Sequence, residues 1–205
     1  MNGDIDFHIP DYDEFRRGYE VYNERENKGK IYFEALAVVY QNWGTSYDMA
    51  RGVRIIIRGW NYLYSNFNFD ELVNCIERNL PTLNELKDKN IEALSENDGG
   101  TIKNVFNQFN ETLKRESDNR KSPVSVAKAL CLFAPNFLPI WDSNIAFEYN
   151  CFYFSDSADD PYFRFCQKMK IMADKVRNFV PNPDDRSLLK RIDEFNYSKY
   201  TMHWI

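Results

Sequence analysis

Apolar and polar positions alternate at helical spacing along most of the chain. Between Tyr12 and Asn27, Phe15, Tyr19 and Tyr22 form an apolar stripe among charges, which predicts an amphipathic helix interrupted at Gly29. Ile31 to Trp43 is apolar on most faces, with Phe33, Leu36, Val38, Val39 and Tyr40, and predicts a helix in the middle of a bundle, closed by Gly44. From Ser46 to Tyr64 a helix is expected although Gly52 and Gly59 weaken it. The β-branched run Val53 to Ile57 suits a strand, but no neighbouring segment alternates to pair with it.

Further along, Leu72, Val73, Ile76 and Leu80 predict a helix capped by Asp70 and ended by Pro81. Leu83, Leu86, Ile91 and Leu94 continue at near-helical spacing over Thr82 to Leu94. After the turn Asp98-Gly99-Gly100, Thr101 is expected to cap a helix carrying Ile102, Val105, Phe106, Phe109 and Leu113. Lys114 to Lys121 is charged and expected at the surface. Ser122-Pro123 reads as cap and first-turn proline of a helix to about Phe133, and Asp142 as the cap of another through Ile145 and Tyr149. A loop over Cys151 to Asp160 precedes helices Pro161 to Phe179 and Arg186 to Phe195, with a turn at Pro181-Asn182-Pro183 between them. The pattern predicts an all-α, compact multi-helix domain spanning 1–205. A division into lobes 30–115 and 116–205 plus the N-terminal helix, with a cleft between them, fits the same pattern.

Composition supports a folded core, since 43% of residues are hydrophobic and 16% aromatic. The longest apolar stretches, such as Ala129 to Ala134, fall far short of the roughly 20 residues that cross a bilayer, so no membrane span is expected. The acidic start, Met1 to Asp6, does not read as a secretion signal, and the expected location is cytoplasmic. Cys75, Cys131, Cys151 and Cys166 stand far apart among apolar neighbours and read as reduced core thiols, with a disulfide or zinc site as the alternative. His8 and His203 lie near the chain ends, which argues against a histidine metal site. The net charge of -5 argues against a protein that coats nucleic acid, while leaving room for a local basic groove.

The most distinctive stretch is Ser122 to Tyr149, where Lys128 and Asp142 are the only charges before Glu148. A lysine between Val126, Ala127, Ala129 and Leu130 titrates low if buried, as an amine nucleophile must. An aspartate at a nearby helix start stabilises a developing cation. A plainer role fits the same residues: a lysine on the one wet face of a core helix and an aspartate that only caps.

Residues 122–149 resemble the lysine-to-aspartate segment of the helix-hairpin-helix DNA glycosylase superfamily. The resemblance implies an all-helical fold of two lobes, Lys128 as the amine that attacks the sugar C1′ of a flipped nucleotide, and Asp142 as the carboxylate that assists base departure. It implies DNA as partner and DNA repair as the setting. The segment departs from the family where a glycine-rich hairpin binds a DNA phosphate: Arg120-Lys121-Ser122-Pro123-Val124-Ser125 contains no glycine. Lys121, Ser122 and Ser125 at a helix amino terminus are the expected substitute. The iron–sulfur cysteines of some branches are absent, and neither a phosphate-cradling glycine loop nor a nucleophilic-serine elbow is present, so no cofactor is implied.

Arg51, Arg54 and Arg58 recur on one helical face and form a candidate phosphate-binding surface, although a solvated face has the same spacing. Trp141, adjacent to Asp142, is the candidate for stacking on a base. The functional expectation is a glycosylase-like protein that excises or recognises a flipped base; the alternative is a non-catalytic helical module for binding or protein interaction.

Overall fold

The computed structural model describes residues 6–180 and 186–205. Among these residues the chain forms nine α-helices and no strand: α1 (Tyr12–Arg25), α2 (Gly29–Gln41), α3 (Ser46–Trp60), α4 (Phe69–Lys87), α5 (Gly99–Thr112), α6 (Pro123–Phe133), α7 (Ser143–Glu148), α8 (Asp159–Val176) and α9 (Leu188–Asn196). The turn expected at residues 181–183 lies outside the described residues. The fold is all-α.

Side-chain caps fix where several helices start. The side chains of Asp11, Asn68, Ser122, Asp142 and Ser187 each accept the backbone N–H three residues on, satisfying an amide the helix itself leaves without a partner. The cap of α4 is thus Asn68 and not Asp70. Before α5, Ser95 and Asp98 form a reciprocal capping box, so Gly99 and Gly100 lie inside the first turn and not ahead of it.

The central helix is α6, whose residues from Ser125 to Phe133 are all buried, with α2, α3, α4 and α5 packed around it. The Ile31–Trp43 segment, expected in that position, lies instead at the periphery as α2. It buries Tyr32, Ala35 and Val39 and leaves Tyr40 exposed. Its closest neighbour is α3, and Gly52 is what permits the approach: a Cβ there would stand 2.5 Å from Val39 Cγ2 and 2.9 Å from the Ala35 carbonyl oxygen. The glycine that weakens α3 as an isolated helix is the one that lets it pack.

Pro81 does not end its helix. It sits on the exposed face of α4, as does Glu77, the residue whose carbonyl its missing N–H would have bonded. Leu83 and Leu86 carry the buried stripe onward to Lys87. One apolar core runs from Phe15 to Phe195, and the four cysteines are free, buried thiols within the fold. Among the described residues, no helix is long and apolar enough to cross a membrane.

Candidate functional site

The N-terminus of α6 is locked to the C-terminus of α3. Asn61 Nδ2 donates to Ser122 Oγ at 3.0 Å and to Ser125 Oγ at 2.7 Å, and both serines are buried. This fixes Trp60, the last residue of α3, beside Lys128 on α6. Lys128 Nζ donates to the Trp60 carbonyl at 3.1 Å, one of the carbonyls a helix end leaves without an internal partner. The amine therefore lies at the negative end of a helix, yet it is only 8% exposed. Burial pushes the Lys128 ammonium down to about 8, although Asp142 and Asp193 pull it back upward.

Asp142 reaches the same place from the connector after α6. Trp141 is pinned in the core, with Nε1 donating to the Pro123 carbonyl at 3.3 Å and its ring stacked on Tyr153 at 4.7 Å. The next residue is extended and turns its carboxylate over the start of α7. Asp142 Oδ1 accepts the Ile145 N–H at 2.9 Å, and Oδ2 accepts the Thr201 hydroxyl at 2.6 Å.

Thr201 is brought there by a feature the apolar pattern does not signal. After α9 the chain continues as a π-helical turn, Tyr197–Thr201, in which the Met202 N–H reaches back to the Tyr197 carbonyl at 2.9 Å. The wide turn sends Tyr197, Met202 and Trp204 to the same side as Asp142, and such turns recur at functional sites.

These elements enclose a pocket of about 270 Å³. Its walls come from the α1–α2 junction, the end of α3, α6, the start of α7, α9 and the π-helical turn. Lys128 and Asp193 are buried charged groups of its lining, Asp142 is a half-buried one, and Tyr22, Trp60, Tyr197 and Trp204 are aromatic ones. Arg25, Glu26 and Lys28 also belong to the lining. The volume is close to the lower end, about 300 Å³, of ordinary small-molecule sites.

Beneath the pocket lies a buried ionic network on α9. Lys190 Nζ donates to Asp193 Oδ2 at 2.6 Å and stands 3.7 Å from Glu194 Oε1, with the Tyr22 and Trp60 ring centroids at 4.7 and 5.3 Å. Arg186 and Arg191 also pair with Glu194. Burial alone would lower the Lys190 ammonium, but Asp193, Tyr22 and Glu194 outweigh it and raise it. Burial likewise raises the Asp193 and Glu194 carboxyls against the pull of Lys190.

Of the residues singled out by sequence, Lys128 and Asp142 come together in this pocket. Trp141 contributes to its lining too, but its side chain is fully buried among Phe106, Tyr153, Tyr162 and Phe165, so its ring has no face for a base. The candidate phosphate-binding residues do not meet at this pocket. Arg51, Arg54, Arg58, Lys121, Ser122 and Ser125 are all absent from the pocket lining. Arg51 pairs with Asp48 at 2.8 Å, Arg54 lies over the Phe69 ring at 4.3 Å, and Arg58 is exposed. Lys121 is held by Glu111 and Asp156 at 2.5 and 2.7 Å. Ser122 and Ser125 are committed to Asn61, so the α6 amino terminus is not an open anion site.

Sequence reasoning missed Asp193, Lys190, Tyr197 and Trp204. Lys190 and Asp193 are spaced like an ordinary solvated pair, and only their interleaving with Leu189, Ile192 and Phe195 hinted at burial. No protein-family model, curated protein or solved structure matches this chain.

Proposed function

We propose that the chain is a glycosylase-like protein acting on a nucleobase turned out of a DNA strand, with Lys128 as nucleophile and Asp142 as the carboxylate that steadies the sugar cation. The observation that carries this reading is the convergence of a desolvated lysine and an aspartate from different elements on one aromatic-walled pocket. It joins the resemblance of residues 122–149, which supplies the reaction class.

In this reaction the neutral Lys128 amine forms a bond to C1′ while the glycosidic bond breaks and its electron pair leaves with the base, which takes up a proton. The amine nitrogen then loses a proton, the bond from C1′ to the ring oxygen opens, and that oxygen is protonated to leave a cationic imine on Lys128. An amine held at about 8 is available in its neutral form near neutral pH. Asp142, already oriented by Ile145 and Thr201, needs no reorganisation to face the developing positive charge.

A second reading, a binding module without catalysis, is favoured by the pairing of Arg51 and Lys121 with acidic neighbours, which removes two cations expected to hold phosphates. Borohydride trapping on oligonucleotides carrying abasic sites, oxidised bases or uracil separates the two. The enzyme reading predicts a covalent adduct with the wild type that Lys128→Ala abolishes and Asp142→Asn diminishes. Absence of any adduct across the panel refutes it.

A further inference from the structure

Asp193 is a polar group of the pocket with one oxygen left over. Its side chain is 9% exposed, and Oδ2 accepts from Lys190 Nζ at 2.6 Å. Among the described residues its other oxygen, Oδ1, accepts no hydrogen bond, although the residue lines the pocket. Asp142 differs, because its two oxygens are occupied by Ile145 and Thr201. Oδ1 is not among the wholly buried side-chain atoms without a partner, so it is open to solvent in a residue that lines the pocket, and the Lys190 ammonium on Oδ2 favours the ionised carboxylate, which accepts hydrogen bonds.

We propose that Asp193 is the specificity-determining residue of this pocket, its carboxylate accepting a hydrogen bond from a ring or exocyclic N–H of a flat heterocycle held against the aromatic walls. The proposal rests on the reading of the pocket as a base-binding site. The ligand class is a nucleobase whose inner edge presents an N–H. An edge of lone pairs alone, or one blocked by N-methyl groups, leaves the carboxylate desolvated and unpaired, and is rejected. Aromatic faces at Tyr22, Trp60, Tyr197 and Trp204 tolerate any base, so discrimination falls to the polar groups of the lining, among which Asp193 supplies a carboxylate oxygen.

The test is equilibrium binding to the full chain, followed by tryptophan fluorescence, because Trp60 and Trp204 line the pocket. The probes are theophylline against caffeine and uracil against its N,N′-dimethyl derivative, pairs in which N–H is replaced by N-methyl. The wild type is expected to prefer the N–H member of at least one pair by about 10- to 100-fold, the worth of a hydrogen bond to a charged group. In Asp193→Asn that preference is expected to collapse, whereas a purely steric penalty from the methyl group would persist. Equal binding of both members by the wild type, binding of neither, or an unchanged preference in a folded Asp193→Asn overturns the proposal. An imine adduct without N–H preference refutes the assignment of Asp193 alone. Preference without an adduct refutes the excision chemistry and leaves the recognition standing.

Discussion

Replacing Lys128 by methionine is expected to make the protein more stable at neutral pH and inactive. The wild-type ammonium is held at about 8 instead of its ordinary 10.5 because it is buried. At about pH 7 this difference costs the folded state about 3 kcal/mol. Methionine fills a similar volume without the charge. It loses the hydrogen bond from Nζ to the Trp60 carbonyl, worth about 1 kcal/mol. The net gain is about 2 kcal/mol, which for a chain of this size raises Tm by about 4–8 °C.

The sign of the pH dependence follows from proton counting. Between the folded value of about 8 and the unfolded value near 10.5, the unfolded wild type binds more protons than the folded one, so wild-type stability rises with pH. The advantage of Lys128→Met therefore shrinks across that window. Thermal melts of both proteins at about pH 7 and about pH 9.5 give the difference directly. A variant less stable at the lower pH, or a difference that does not change with pH, refutes the claim that this amine is desolvated.

Asp142→Asn is expected to keep the α7 cap, since asparagine caps as well as aspartate, and to change stability by less than about 1 kcal/mol in chemical denaturation while adduct formation falls. Lys190→Met strips Asp193 of its hydrogen-bond partner in the buried network and is expected to cost about 3–5 kcal/mol, a loss that denaturant titrations should find smaller at acid pH, where the stranded carboxyl is protonated. Gly52→Ala should destabilise by about 1–3 kcal/mol despite alanine's better helix propensity, because the new Cβ meets the Ala35 carbonyl and α2 must retreat; a rise in Tm would contradict that packing. The rate of adduct formation should rise with pH through a midpoint near 8 as Lys128 loses its proton, and a flat profile would show that this amine is not the group that reacts.

Helix positions were legible wherever periodicity and a cap agreed. Ser122-Pro123 and Asp142 mark the starts of α6 and α7 because a cap oxygen and a first-turn proline act locally, through groups three residues apart. Pro81 misled because the cost of a helical proline depends on whether the orphaned carbonyl faces water, and that is decided by the tertiary fold. The central place of α6 and the peripheral one of α2 are likewise long-range outcomes, since two helices of similar apolarity compete for one core. In the pocket, Lys128 and Asp142 could be picked out because isolated charges in an apolar segment are costly unless employed. Asp193 could not, because a lysine three residues before it is the mark of an ordinary surface pair. The π-helical turn that aims Tyr197, Thr201 and Trp204 has no signature in the apolar pattern. On α3 the helical spacing put Arg51, Arg54 and Arg58 on one face but could not show that Arg51 pairs with Asp48 or that Arg54 lies over Phe69.

The most direct test of the central claim is to digest the borohydride-reduced complex with an abasic oligonucleotide and locate the modified lysine by mass spectrometry. The account predicts the adduct on Lys128, the amine in the pocket, with Lys190 unmodified because it remains a buried ammonium held by Asp193 and Glu194. An adduct on any other lysine, or none at all, would contradict it.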